Sequence, residues 1–445
     1  VDVRQYRKDE FSVGKLRGKQ MSKFRKVAAL AAVAALVLSA CGDDSDSSSG
    51  GSDTTAASGS GGGGTGFDPS LPPVLVGFHN LEGGAVISLP QIREGFEQGV
   101  RYVNEELGGI NGHEMKVEAC EVDVTPESSV NCGNTFVEKG VVIAAQGVDV
   151  VADAMLPVLQ AADIAETAFF AFSQGVNDAV GDVFVTMFSN NEGYASSVVA
   201  QKQLGGTNIA VLVSDLPSGK AAYENIVKPA GERLGVKTTP FYFPQTATDW
   251  TSFAQTVLAI KPDGITIPAP QEAECLGALP AFRDAGYTGV FHAGSCVEIR
   301  KQLDEKYLEN TVSHSEYYVE EMTVVPEKVK GDFEIYNRYM EEGAPDVKDT
   351  TYGRLGFAFA VDLADMMRQV PVEDVLTASG VKAGIAKAQG VRFFTDLPYN
   401  CAAPDFPEAS SCGSRVIFSK NIPGKKLEVF DWAPVDVKAA YAAME

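Results

Sequence analysis

The sequence predicts an α/β fold, and three observations carry that prediction. Short β-rich runs alternate with stretches of helical periodicity, the order expected of parallel sheets built from βα units. The alternation begins at residue 74 and restarts at residue 208, so two such units follow one another. Beyond residue 71 the chain still holds about 374 residues, enough for two ordinary domains.

The first unit opens with a strand at 74–78. Ile92, Phe96, Val100, Val103 and Leu107 then recur at spacings of four and three, one face of a helix that Gly108-Gly109 ends. A turn at 108–112 leads to a strand around 115–119. Thr125-Pro126-Glu127 offers an N-cap followed by proline in the first turn, and 141–145 is the next strand. In the second unit a strand at 209–213 precedes a helix at 219–234. Asp249-Trp250-Thr251 opens another helix, Lys261-Pro262-Asp263-Gly264 turns the chain, and a strand at 265–267 precedes a helix at 276–282 and a strand at 290–293. Later, Val329, Phe333, Tyr336 and Met340, then Leu355, Phe359 and Leu363, read as the core faces of two helices.

Ahead of these units, Lys23, Arg25 and Lys26 precede an apolar run at 27–38 that ends Leu38-Ser39-Ala40-Cys41. That order is a signal peptide, and the run is far shorter than the roughly 20 residues needed to cross a bilayer. Small residues at 39 and 40 suit cleavage just before Cys41, and the whole resembles a bacterial lipoprotein signal, in which the cysteine thiol receives lipid. Residues 1–20 lie upstream of Met21 without an apolar pattern and are expected to be an upstream extension. Residues 42–66 are almost entirely Gly, Ser, Asp and Thr and cannot bury enough surface to fold, so they read as a tether with a reach of roughly 25–30 Å.

Nine Lys/Arg and three Asp/Glu fall within residues 1–40, leaving 28 basic against 56 acidic residues in the remainder. Such an acidic chain repels nucleic acid and anionic headgroups, which makes both poor partner candidates. Apart from Cys41, the chain has Cys120, Cys132, Cys275, Cys296, Cys401 and Cys412, an even number that favours disulfides in an exported protein. Connectivity does not follow from sequence alone; bonding between sequence neighbours is the economical expectation. No CxxC pair is present, and no metal or other cofactor is called for.

Enzyme motifs fail on inspection. His113-Glu114 begins like a zinc-protease motif, but Val117 stands where the second histidine belongs. Ser218-Gly219-Lys220 hints at a phosphate loop, yet Ala221 replaces the required hydroxyl. The remaining histidines of the four, His79, His292 and His314, are expected to be ordinary core or surface residues.

From about residue 74 to residue 432 the order of elements resembles the leucine/isoleucine/valine-binding family of type I periplasmic binding proteins, which serve ABC importers. The helix end Val103-Asn104-Glu105-Glu106-Leu107-Gly108-Gly109-Ile110-Asn111-Gly112, the Asp249-Trp250-Thr251 start and the 401–412 cysteine loop carry the likeness. The resemblance implies two Rossmann-like lobes joined by a three-strand hinge, with crossings near 188–194, 316–320 and 396–415 and a solute held between the lobes. The expected organisation is an upstream extension (1–20), signal peptide (21–40), tether (41–71), lobe 1 (72–190 and 319–396), lobe 2 (191–318), and a last segment (397–445) with the third crossing, further lobe 2 strands and a tail.

By the same resemblance, lobe 1 would hold a ligand carboxylate through Gly147, Val148 and Asp149 and through Ser173 and Gln174, with Asn80 after the first strand as a further candidate. Lobe 2 would contribute Ser218, Gln271 and Ser295, and Tyr352 is a further candidate. A tyrosine common after the 209–213 strand is replaced by the Pro217-Ser218 region. Ser295 stands where amino-acid binders carry the carboxylate that grips the amine, so a weaker amine grip is expected unless Glu272, Glu274 or Glu298 compensates. The implied function is a solute-binding lipoprotein that hands a small polar solute, foremost a branched-chain or other amino acid, to a membrane permease, with Cys41 anchoring it to the outer face of the cell membrane. Alternatives are an amide- or urea-type solute binder, a ligand-sensing domain for a signalling partner, and a secreted hydrolase.

Overall fold

The computed structural model describes residues 66–84, 88–244, 248–270, 272–404, 409–413 and 415–437. Cys41, the leader, the tether and Gln271 therefore lie outside the described residues. In the first lobe, strands β1 (Val74–Leu81), β2 (Met115–Val122), β3 (Ile143–Gln146), β4 (Ala165–Phe170) and β5 (Val183–Phe188) form one sheet in the order β2-β1-β3-β4-β5, with every pair parallel. β1 is buried on both faces except at Leu75, as expected of a parallel strand covered by helices on each side. The helix Pro126–Lys139 starts where the Thr125 side chain accepts from the Ser128 N–H, with Pro126 in its first turn, and ends at Gly140 in the left-handed region.

The second lobe continues with β6 (Asn208–Ser214), β7 (Lys237–Phe243), β8 (Gly264–Thr266), β9 (Val290–His292) and β10 (Thr311–Ser315). After a return to the first lobe come β11 (Gln389–Val391) and β12 (Pro398–Asn400), which pair with each other, then β13 (Arg415–Ile422), β14 (Lys426–Val429) and β15 (Val435–Asp436). The sheet order is β14-β13-β10-β9-β8-β6-β7, with β13 antiparallel to β10 and β15 pairing off the path with β13. Between β6 and β7 the helical stretch 217–234 contains one π-helical turn, Tyr223–Val227.

The chain passes between lobes after β5, after β10 and between β12 and β13. The third passage is tied to the first lobe: Val185 N–H donates to the Ser410 carbonyl at 2.7 Å and Cys412 N–H to the Val185 carbonyl at 2.8 Å. Disulfides join Cys120 to Cys132, Cys275 to Cys296, and Cys401 to Cys412. The last of these staples the third passage, and the second ties the loop after β9 to the helix Glu272–Asp284.

After β10 the helices Glu327–Gly343 and Thr351–Met367 go back to the first lobe. Thr351–Met367 lies against Pro90–Glu106 at backbone contact distance, because glycines face each other: a Cβ on Gly356 would sit 2.0 Å from the Ile92 carbonyl oxygen, and one on Gly95 2.1 Å from that of Gly353. This close crossing fixes where the N-terminal turn of Thr351–Met367 meets the space between the lobes.

Candidate functional site

Loops at the carboxyl ends of parallel strands converge between the lobes, the usual place for ligands in open α/β sheets. They enclose a cavity of about 540 Å³. From the first lobe its wall is mainly apolar: Leu81, Val148 and Val150, then Phe169, Phe170 and Phe172. The three phenylalanines meet edge to face, with ring centroids 5.1 to 5.7 Å apart. The first turn of Thr351–Met367 adds Thr351, Tyr352 and Leu355. Pro217, Ser218 and Ile226 after β6, Pro268 to Pro270 after β8, and Ser295 and Cys296 after β9 face them from the second lobe. Exposed apolar side chains stand at the mouth on each side, Val150 from the first lobe and Leu216 from the second.

The passages between lobes supply four of the polar groups. Ser189 and Tyr194 follow β5, and His314 and Glu316 sit at the end of β10. Burial pushes the Tyr194 hydroxyl up to about 12, and burial together with the charges of Glu272, Glu316 and Glu274 does the same to Tyr352, so both phenols stay protonated. Thr266, His292 and His314 form a buried chain, 2.8 Å from Thr266 Oγ1 to His292 Nδ1 and 3.0 Å from His292 Nε2 to His314 Nδ1. Desolvation holds both imidazoles below their ordinary value, His314 at about 4, so both are neutral. Glu316 is only 2% exposed, and burial raises it to about 7 against the pull of its own backbone N–H and of Arg392. Glu272, also in the wall, is raised by burial first and by the charge of Glu298 second. Among the described residues lining the cavity, none is Lys or Arg.

Of the residues expected from sequence, Val148, Gln174, Ser218, Ser295 and Tyr352 line this cavity. Asn80, Gly147, Asp149 and Ser173 lie behind the wall instead. Asn80 is fully buried; its amide donates to Glu82 at 3.1 Å and to the Leu89 carbonyl at 2.8 Å, and its oxygen accepts from Val148 N–H. Gly147 packs against Asn80, where a Cβ would fall 2.6 Å from the amide oxygen. Asp149 accepts from Ser129 Oγ and the Val151 N–H and faces His79, and Ser173 donates to Asp153. These four hold the loops in shape. Glu298 does not enter the cavity either: it binds Arg354 of the first lobe at 2.6 Å and Lys301 at 2.9 Å. Phe169, Phe172, Tyr194, His314 and Glu316 also line the cavity, although the sequence alone does not single them out as site residues. For Tyr194 and Glu316 a signal existed, since they fall in the expected passages at 188–194 and 316–320 and residues of a passage between lobes run along the cavity floor. His113 is not part of a metal site; its Nδ1 contacts the Pro72 carbonyl at 2.7 Å, and no group of His, Cys, Asp and Glu among the described residues is arranged to hold a metal.

The fold matches solved structures closely. An extracellular ligand-binding receptor from Verminephrobacter eiseniae superposes with a TM-score of 0.66 at 14% identity, covering 80% of this chain and 99% of its own. A solute binding protein from R. palustris, solved in complex with 4-hydroxybenzoate, gives 0.64 at 16% identity over 82% and 96%. A leucine binding protein from Thermotoga maritima gives 0.59 at 15% identity over 80% and 97%. No curated protein matches by sequence. The profile of the family described as periplasmic binding protein matches residues 76–394, well over half of the chain and both walls of the cavity. The chain belongs to the periplasmic binding protein family, whose members capture solutes outside the cytoplasm and do not transform them.

Proposed function

We propose that the chain is the lipid-anchored solute-capturing component of an ABC importer, and that its cavity takes a small solute with a branched or aromatic apolar body and a polar head, of the amino-acid type. The observation that carries this reading is the cavity itself. Its volume of about 540 Å³ falls within the roughly 300–1,000 Å³ of small-molecule sites, and apolar walls with a few convergent polar groups are what such sites present. Leucine and 4-hydroxybenzoate, named for two of the neighbours, share that division into apolar body and polar head. Closing the lobes on such a body would bury Val150 and Leu216 at the mouth.

A thermal-shift screen of the purified chain against small metabolites, followed by calorimetry, tests the reading. A true ligand raises the melting temperature, and Phe172→Ala weakens its binding by about tenfold or more, since an aromatic contact surface contributes on the order of 1–3 kcal/mol. A library without a hit, or a hit indifferent to Phe172→Ala, removes the solute from this cavity.

The anchor has its own test. Lys23 to Cys41 has the order of a lipoprotein signal, and no helix among the described residues is long and apolar enough to cross a membrane. Wild type should therefore sediment with membranes, and Cys41→Ala should appear in the soluble fraction. Retention of the variant on membranes after a high-salt wash would refute lipid attachment at Cys41.

A further inference from the structure

Glu316 is a carboxylate almost wholly removed from water, at the wall of the cavity, with no side-chain hydrogen bond donor to satisfy it among the described residues. His314 Nε2 stands 3.8 Å from the Glu316 carboxylate, beyond hydrogen-bond range. The backbone N–H of Glu316 acts on its carboxylate but no side-chain donor among the described residues does, and a buried carboxylate so thinly satisfied is costly and calls for an explanation. Of the surrounding guanidinium groups, Arg354 pairs with Glu298 and Arg300 with Glu321 at 2.7 Å, while Arg392 donates through Nη2 to the Arg415 carbonyl, has no hydrogen-bond partner among the described residues at Nε and Nη1, and reaches Glu316 only through space. The other acid in the wall, Glu272, already accepts from Gln302 at 3.0 Å. The cavity thus offers a negative, donor-seeking group at one point and, among its described lining residues, no cationic side chain for an anion.

Resting on the solute-capture reading above, we propose that Glu316 sets which solute is taken: it receives a protonated amine, so the cavity prefers amines with an apolar body over the matching carboxylic acids. The apolar part lies against Phe169 and Phe172, which face the second lobe from across the cavity. The groups that face Glu316 permit this assignment. His314 on the same strand and His292 behind it are neutral, Tyr317 and Tyr352 stay protonated, Glu272 adds negative charge, and Arg392 acts on Glu316 only through space. The proposal moves amine recognition from the Ser295 loop to the end of β10.

Burial also ties the preference to pH. An amine bound against Glu316 stabilises its ionised form, so binding is strongest above the free group's value of about 7 and weakens as pH falls through it. The amine stays protonated throughout, which leaves Glu316 as the titrating partner.

Calorimetry on the purified chain decides the matter, with 3-methylbutylamine and phenethylamine set against 4-methylpentanoate and 3-phenylpropanoate. At pH 8 the amines should bind about tenfold or more tightly than the acids, and wild-type affinity for them should fall about tenfold between pH 8 and pH 6. In Glu316→Gln both the preference and the pH dependence should vanish, with the melting temperature confirming that the variant folds. Glu316→Asp keeps the charge and should keep the preference at lower affinity. The proposal is overturned if the acids bind as well as the amines, if Glu316→Gln retains the preference, or if none of the probes binds. In that last case solute capture still stands wherever the metabolite screen yields a hit sensitive to Phe172→Ala, so the two failures are distinguishable.

Discussion

Replacing His79 by glutamine should cost about 3–5 kcal/mol of stability, measured by denaturant unfolding at pH 7. His79 lies fully buried beneath the 147–151 loop, 3.1 Å from Asp149 Oδ2 through Nδ1 and 3.4 Å from Glu166 Oε1 through Nε2. Burial alone would lower its proton affinity, but the hydrogen bond to Asp149, the close approach of Glu166 and the charges of both carboxylates outweigh that and lift it to about 9. Burial holds Glu166 above the ordinary carboxylate range. Glutamine fills much of the space but carries no charge, so two carboxylates would remain in the core without their cation. The sign with pH follows from the raised value. The folded state holds the His79 proton more tightly than the unfolded chain, so its contribution is fully present below about 6.5 and is lost as pH rises through about 9. Wild-type stability should therefore decline across that window by about 3 kcal/mol, and the His79→Gln curve should lack this decline. A variant as stable as wild type at pH 7, or one with the same alkaline decline, would show that the imidazole is not the cation holding this loop. Because Asp149 also fixes the Val151 N–H, the variant should weaken solute binding through the displaced Val148 and Val150.

How much of this was legible in sequence differs between fold and site. The strand at 74–78 and the Ile92–Leu107 face were readable because each is a local pattern, and the structure extends the strand to Leu81 and gives the helix as Pro90–Glu106. Thr125-Pro126 was readable for the same reason, as a cap acts within one turn. The cavity wall was harder, since neighbouring residues of an extended segment point to opposite sides. Val148 and Gln174 line the cavity, while Asp149 turns to His79 and Ser173 to Asp153. A one-residue uncertainty in placing a loop thus exchanges ligand contacts for scaffold. The Phe169-Phe170 pair reads as an ordinary strand core, which β4 is, and only its position at the strand's carboxyl end makes it a wall. Glu316 falls in the expected passage at 316–320, but that no side-chain donor among the described residues reaches it depends on distant parts of the chain, which no local pattern records.

The glycines of the helix pair were invisible for a related reason, and they carry the second large effect. Gly356→Ala should destabilise the chain by about 3 kcal/mol, because the added methyl group would sit 2.0 Å from the Ile92 carbonyl oxygen and 2.8 Å from the Phe96 nitrogen. Both are backbone atoms, so no side chain can rotate away and the two helices must separate. On intrinsic propensity alone the change should help, since alanine favours a helix interior over glycine by roughly 1 kcal/mol. Gly331→Ala supplies the control: it lies inside the helix Glu327–Gly343 with nothing within 4 Å of an added Cβ, and should stabilise by about 0.5–1 kcal/mol. The same substitution thus takes opposite signs at two helical sites, and what separates them is the neighbouring backbone. The consequence reaches the cavity, because pushing Thr351–Met367 outward shifts Tyr352 and Leu355 in the wall and strains the Arg354–Glu298 ion pair between the lobes. Solute affinity should fall with stability in Gly356→Ala and stay unchanged in Gly331→Ala. Equal unfolding midpoints for the two variants would mean that the helices can part without cost, and the close crossing would then not be what positions the wall.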